Sequence, residues 1–182
     1  MKKHLVWVLL GLLLSAPTLS GCNTETALAK AVREQLEAQK ILDDTAIQAY
    51  LQSHNYTNYQ RTDDGIYLVP RTAGSGPAVT LGKQVAARYI GRFITANTSG
   101  TQRVDDIFDN SADNRSACQC FEFIVGSNAV IEGWNKGTQL MRQGDAALLF
   151  IPSYLAYGAS GRGSIAPNTP LMFEMNIIAV SQ

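Results

Sequence analysis

The stretch "NAVIEGWNKGTQLM" (Asn128–Met141) decides how the C-terminal half of this chain is read. Ile131, Trp134, Thr138 and Met141 recur three or four residues apart, which puts them on one side of a helix. Around it the period changes to two. Upstream, "FEFIV" (Phe121–Val125) alternates, as do Val85, Ala87 and Tyr89 in "VAARYIGRF" (Val85–Phe93). Downstream, "DAALLFIP" (Asp145–Pro152) and "LMFEMNIIAV" (Leu171–Val180) read as strands, with Leu171, Phe173, Met175 and Ile177 sharing one face. "YQRTDDGIYLVPR" (Tyr59–Arg71) is two short runs about an Asp64-Gly65 hairpin turn. "AGSGP" (Ala73–Pro77) and the polar segment Ile94 to Asp106 read as loops. Strands enclosing a single helix predict an α+β fold, a curved antiparallel sheet wrapped around one short helix.

The N-terminus has a different character. Met1-Lys2-Lys3 is a short basic start, and "LVWVLLGLLLSA" (Leu5–Ala16) follows as an apolar run shorter than the roughly 20 residues that cross a bilayer. That pattern predicts an export signal over residues 1–21. Leu19-Ser20-Gly21-Cys22 resembles the lipobox of bacterial lipoproteins, which implies lipidation of Cys22 and a membrane-anchored protein of the bacterial cell envelope.

Residues 22–58 then form an N-terminal helical segment. From Thr24 to Gln39 good helix formers dominate, with Leu28, Val32 and Leu36 in a narrow apolar stripe. The stripe would dock on the domain, pair with another copy, or face solvent on a spacer, the reading slightly preferred. Asp43-Asp44-Thr45 offers an N-cap for a second short helix carrying Ile47, Tyr50 and Leu51 on one face, with His54 at its end. A folded domain is expected over 59–182, its core at about 79–180.

The chain has 182 residues, with Lys+Arg and Asp+Glu both 15. Loss of Lys2 and Lys3 with the leader leaves 13 basic against 15 acidic residues, a net charge of about −2 that suggests no nucleic-acid partner. Cys118 and Cys120 lie two apart, a strained spacing for a disulfide, and two thiols with no Cys or His nearby do not make a zinc site. They read as loop or strand-edge residues, their oxidation state open. No metal or cofactor is expected.

Covalent hydrolytic chemistry finds little support. A Ser-His-Asp or Cys-His site needs a histidine base, and after loss of the leader only His54 remains. There is no G-x-S-x-G elbow and no H-E-x-x-H helix. "GASGRG" (Gly158–Gly163) lacks the Lys-Ser/Thr ending of a phosphate loop. The pairs Asp63-Asp64 and Asp105-Asp106 read as solvated turn residues.

What remains is aromatic, and it is ordered. From about Val79 to Val180, "RYIG", "IFDNS", "FEFIVG", "VIEGWNKG", "IPSYLAYG" and "PLMFEMNII" together resemble the FKBP-type peptidyl-prolyl isomerases. The resemblance implies a proline pocket with Trp134 as floor and Tyr89, Phe121, Val130, Ile131, Ile165 and Phe173 as walls. Phe108 and Asp109 would stand at one rim, and Tyr157 at the other, its hydroxyl donating to a peptide carbonyl. Tyr89, Asp109, Trp134 and Tyr157 would carry turnover. The partners implied are proline-containing polypeptides and FK506-type macrolides. Without the resemblance, Phe121 and Phe173 would be read as core, as Phe123 still is.

Departures from the family pattern lie next to that pocket. The Tyr89–Phe108 loop is lengthened, "GRGSIAPNTP" is a residue short, and Ala166-Pro167 stands where many members have two prolines. The expected function is prolyl isomerisation assisting exported proteins. The rival reading is a non-catalytic peptide-binding or chaperone module on the same groove.

Overall fold

A computed structural model of the protein describes residues 26–113 and 118–181. The leader at 1–21 and Cys22 lie outside the described residues.

The chain enters as one long helix, α1 (Ala27–Ser53), capped by Thr26, whose Oγ1 accepts from the Ala29 backbone N–H. This corrects the expectation of two helices, for Asp43 and Asp44 cap nothing. Their carboxylates instead reach sideways into tertiary contacts, so nothing at that point breaks the helical ladder. Leu28, Val32 and Leu36 are 75%, 58% and 41% exposed, so the apolar stripe does not dock on the rest of the chain. The second half of the helix does dock, through Ile47, Tyr50 and Leu51.

The expected hairpin forms between β1 (Gln60–Arg61) and β2 (Tyr67–Thr72), with Gly65 at φ +77° in the turn. The other strands are β3 (Gln84–Phe93), β4 (Ile107–Asn110), β5 (Phe121–Ile124), β6 (Ala146–Ile151) and β7 (Leu171–Val180). All pair antiparallel in one sheet ordered β1-β2-β6-β7-β3-β4, and β5 shares with β4 the outer edge of β3. β3 pairs with β5 over Gln84–Ala87 and with β4 over Ile90–Arg92. At the gap, the Tyr89 backbone N–H donates to Ser111 Oγ (3.0 Å) in place of a strand partner.

The predicted helix is shorter than its pattern. α2 runs from Glu132 to Gly137 and tightens into a 3-10 turn at Thr138–Leu140. It lies close on β6 because Gly133 and Gly137 face that strand. A Cβ at Gly137 would stand 2.6 Å from the Leu149 methyls, and one at Gly133 would overlap Ile151. A close approach bought by two glycines explains why so brief a helix sits so deep.

Two cores result, one on each side of the sheet. The front core joins Trp134 and Met141 to Val85, Ala87, Tyr89, Leu149, Ile151 and the predicted face of β7. The back core joins Ile47, Tyr50 and Leu51 of α1 to Tyr67, Val69, Ile94, Leu148, Phe150 and Met172. β6 serves both, alternate residues pointing to opposite sides.

Candidate active site

The front core opens to solvent at one end, in a cavity of about 620 Å³. That volume suits a short peptide or a small ligand. The structure brings all ten pocket residues of the sequence reading around this one space: Tyr89, Phe108, Asp109, Phe121, Val130, Ile131, Trp134, Tyr157, Ile165 and Phe173.

Trp134 holds its position by edge-to-face packing. Its ring meets Tyr89 at 4.8 Å and 83°, and Phe173 at 5.2 Å and 88°. Phe121 and Phe123 pack on it at 5.9 and 5.4 Å. Phe123, 3% exposed, does not line the cavity, in keeping with its reading as core. Trp134 Nε1 is buried and finds no hydrogen-bond partner among the described residues.

The polar groups stand at the mouth. Tyr89 donates its hydroxyl to Asp109 Oδ2 at 2.8 Å, and the same carboxylate accepts the Asn110 N–H through Oδ1 at 2.9 Å. Each carboxylate oxygen thus accepts one hydrogen bond, and Asp109 holds the Tyr89 ring beside Trp134. Tyr157 is half-buried, with the Arg162 guanidinium 5.6 Å from its ring centroid.

Gly91 makes one wall possible. A Cβ there would stand 2.6 Å from Phe108 and 3.1 Å from Phe173, so the bare backbone lets both rings close over β3. Phe108 and Phe173 then meet at 5.6 Å and 85°.

Sequence reasoning missed several lining residues. Asn128, Ala129, Arg162, Gly163 and Ser164 also face the cavity, from loops on either side. Arg162 and Ile165 pair through two backbone bonds of 2.9 Å, fixing the loop between them. Asn135, on α2 and 6% exposed, accepts the Gly126 N–H (2.7 Å) and donates to Ser127 O (2.9 Å), so it locks the segment leading to Val130. An asparagine inside a predicted helix was the signal, since buried amides are hydrogen-bonded.

The loop that carries Tyr157 is anchored from behind. Asp43, 1% exposed, accepts from both the backbone N–H and the hydroxyl of Ser153, each at 2.7 Å, and from Gln39 at 2.8 Å. Burial pushes its carboxyl above the ordinary range, opposed by those hydrogen bonds. Asp44 accepts from the Tyr67 hydroxyl (2.8 Å) and pairs with Arg61. The opposite rim is tied down similarly, as the Tyr50 hydroxyl donates to Asp105, with His54 at 3.7 Å from the same carboxylate. Asp105 is thus more than the solvated turn residue expected. Asp64 likewise pairs with Lys136 of α2 at 3.1 Å.

The outer edge carries the two cysteines. The structure joins Cys118 to Cys120, with Gln119 turned to φ +53° between them and Cα atoms 5.1 Å apart. A left-handed residue is what brings two sulfurs together across this spacing.

A curved antiparallel sheet over one short helix, with an aromatic cleft above a buried tryptophan, is the class of domain these features define. Residues 76–178 match the model of the FKBP-type peptidyl-prolyl cis-trans isomerase family, and the chain belongs to that family. A crystal structure of a peptidyl-prolyl cis-trans isomerase from Pseudomonas syringae pv. tomato is 35% identical, with a TM-score of 0.61, covering 80% of this chain and 96% of its own. An FK506-binding protein of Streptomyces anulatus is 36% identical over 109 residues, 59% of this chain and 79% of that protein. FK506-binding protein 5 of Dictyostelium discoideum is also 36% identical, over 99 residues, but this chain spans only 6% of its length.

Proposed function

We propose that the protein is a peptidyl-prolyl cis-trans isomerase that binds X-Pro in the cavity over Trp134. The observation that carries this reading is the aromatic cleft itself, with Tyr89, Phe108, Phe121 and Phe173 gathered around Trp134. Isomerisation breaks no covalent bond, so neither nucleophile nor titrating base is needed. The obstacle is amide resonance, a barrier of roughly 18–20 kcal/mol. Water favours the planar, charge-separated amide by hydrogen-bonding its oxygen. Walls that exclude water and fit the twisted amide better than either planar form lower the barrier. Trp134 would carry the proline ring, Phe108, Phe121 and Phe173 the dry walls, and Tyr157 the carbonyl of the bound chain.

Two finer parts of the proposal rest on sequence. The leader and Cys22 suggest a lipid-anchored envelope protein that speeds slow X-Pro steps in exported chains. The family suggests that an FK506-type macrolide would compete for the cavity.

The test is cis-to-trans conversion of a short Xaa-Pro peptide by the chain, beside Trp134→Leu/Tyr157→Phe. Acceleration that falls by about 100-fold in the variant, or ~2.7 kcal/mol of barrier, is the expected result. A folded parent chain that gives no acceleration over buffer rejects the reading and leaves a binding module on the same groove.

A further inference from the structure

We propose that Cys118 and Cys120 form a thiol–disulfide exchange site beside the groove, taking cysteine thiols of polypeptide chains as substrate. Three observations carry it. The first is that the bond is a poor staple. It spans a sequence separation of 2, so it removes little freedom from the unfolded chain, and it requires Gln119 to hold φ +53°, where side-chain-bearing residues are disfavoured. A bond that does so little for stability, in so tight a turn, is of the labile kind that exchanges.

The second is the asymmetry of the pair. Cys118 is half-exposed, whereas Cys120 is 3% exposed. An incoming thiolate therefore reaches the Cys118 sulfur, and Cys120 is placed to leave. Cys120 Sγ lies 3.4 Å from the Cys118 carbonyl oxygen, where the released thiol has an acceptor waiting. Arg88 Nε donates to that same carbonyl at 2.8 Å, which holds the turn to β3 and keeps a cation at the site.

The third is position. The pair sits where the edge of β3 changes partner, immediately before Phe121 of the cavity wall. Gln119 borders a second cleft, of about 310 Å³, whose lining residues Arg88, Ile90, Glu174 and Asn176 alternate to the other face of the sheet from the cavity wall.

The exchange balances as follows. A substrate thiolate attacks Cys118 Sγ, the Cys118–Cys120 bond breaks, and Cys120 leaves with the electron pair and takes a proton from water. The substrate's second thiolate then attacks its own bridged sulfur and expels Cys118, which is protonated in turn. The substrate gains a disulfide, and the chain takes up its two electrons and two protons. A small-molecule disulfide of the glutathione class restores the oxidised pair by the same exchange in reverse.

The experiment uses the Cys22→Ser chain, in which Cys118 and Cys120 are the remaining cysteines. Its oxidised form is mixed with a reduced peptide bearing two cysteines and followed by mass spectrometry with thiol alkylation. One peptide disulfide per chain is expected, with both chain cysteines becoming alkylatable. With oxidised glutathione present, peptide oxidation should run about ten-fold faster than with glutathione alone. Cys120→Ser, its Cys118 first capped by oxidised glutathione, should exchange glutathione for a peptide bearing one cysteine and hold it as a mixed disulfide, and Cys118→Ser/Cys120→Ser should lose the acceleration while keeping the parent's near-ultraviolet dichroism. Two free thiols persisting after treatment with oxidised glutathione would overturn the proposal, as would peptide oxidation no faster than with glutathione alone. The parent assay needs neither variant, so a misfolded variant does not blunt it. The site also stands apart from the isomerase reading, since a chain that exchanges thiols without turning prolines would sink only the latter.

Discussion

The two sides of the sheet are built for different ends. The front core is aromatic, meets at steep ring angles, and stops short of closing, so that a cavity remains. The back core is sealed by α1 and carries carboxylates at its margins: Asp43 of α1 grips the loop at Ser153, and Asp105 ties its own loop to Tyr50 of α1. One side leaves an opening unfilled, and the other is packed without one. The contrast teaches that stability and the site are housed largely apart.

The sharpest way to break this contrast is to empty the back. Ile47→Ala/Leu51→Ala removes two fully buried side chains, each worth ~2–4 kcal/mol. Urea unfolding should show a loss of about 5 kcal/mol, with peptide turnover of the folded fraction within about three-fold of the parent. A collapse of turnover in still-folded protein would mean that the two sides are not separable.

Asp43→Ala comes next. It strands the buried Ser153 N–H and hydroxyl, so a loss of about 2–3 kcal/mol is expected by the same unfolding measurement. From the front, Gly91→Ala should displace Phe108 and Phe173. Its signature is the reverse, ~1–2 kcal/mol of stability but about ten-fold in kcat/KM.

The smallest effect is in pH. Asp43 has a folded carboxyl value raised above its ordinary 3.8, so the folded state holds the proton more tightly than the unfolded chain. Its contribution to stability is therefore full below about pH 4 and is lost as pH rises through the raised value. Against Asp43→Asn, the parent should lose relative stability as the pH rises above about 4. Parallel stability curves for the two proteins would show that burial does not perturb this carboxyl.

Legibility in the sequence also divides along the sheet. The front was readable because a 3.6-residue period around Trp134 stood among two-residue alternations, and because the family blocks name the wall residues in order. Even so, the helix was drawn too long, since nothing in "NKGTQL" announces that the turn tightens at Thr138. The back was nearly invisible. Ile47, Tyr50 and Leu51 were assigned to one face, but what they face, Phe150 and Met172, sits on the alternate positions of strands whose other face had already been counted. Asp43 and Asp44 look like caps because capping is a local signal, whereas their partners lie 110 and 23 residues away. Contacts of that separation leave no period to read. The disulfide was likewise unreadable, because its closure depends on the left-handed backbone of Gln119, which no side chain at that position advertises.

The long helix has a mechanical consequence. Residues 27–38 are exposed on every side, and at roughly 1.5 Å per residue they project about 18 Å from the domain. The same unbroken rod is bolted to Ser153 and to the back of the sheet. Anything that grips the exposed end of this helix would therefore hold the domain by an arm and not by a string. Tilt and torque at the far end are delivered to the joint at Asp43, so the bearing of the cleft follows the arm.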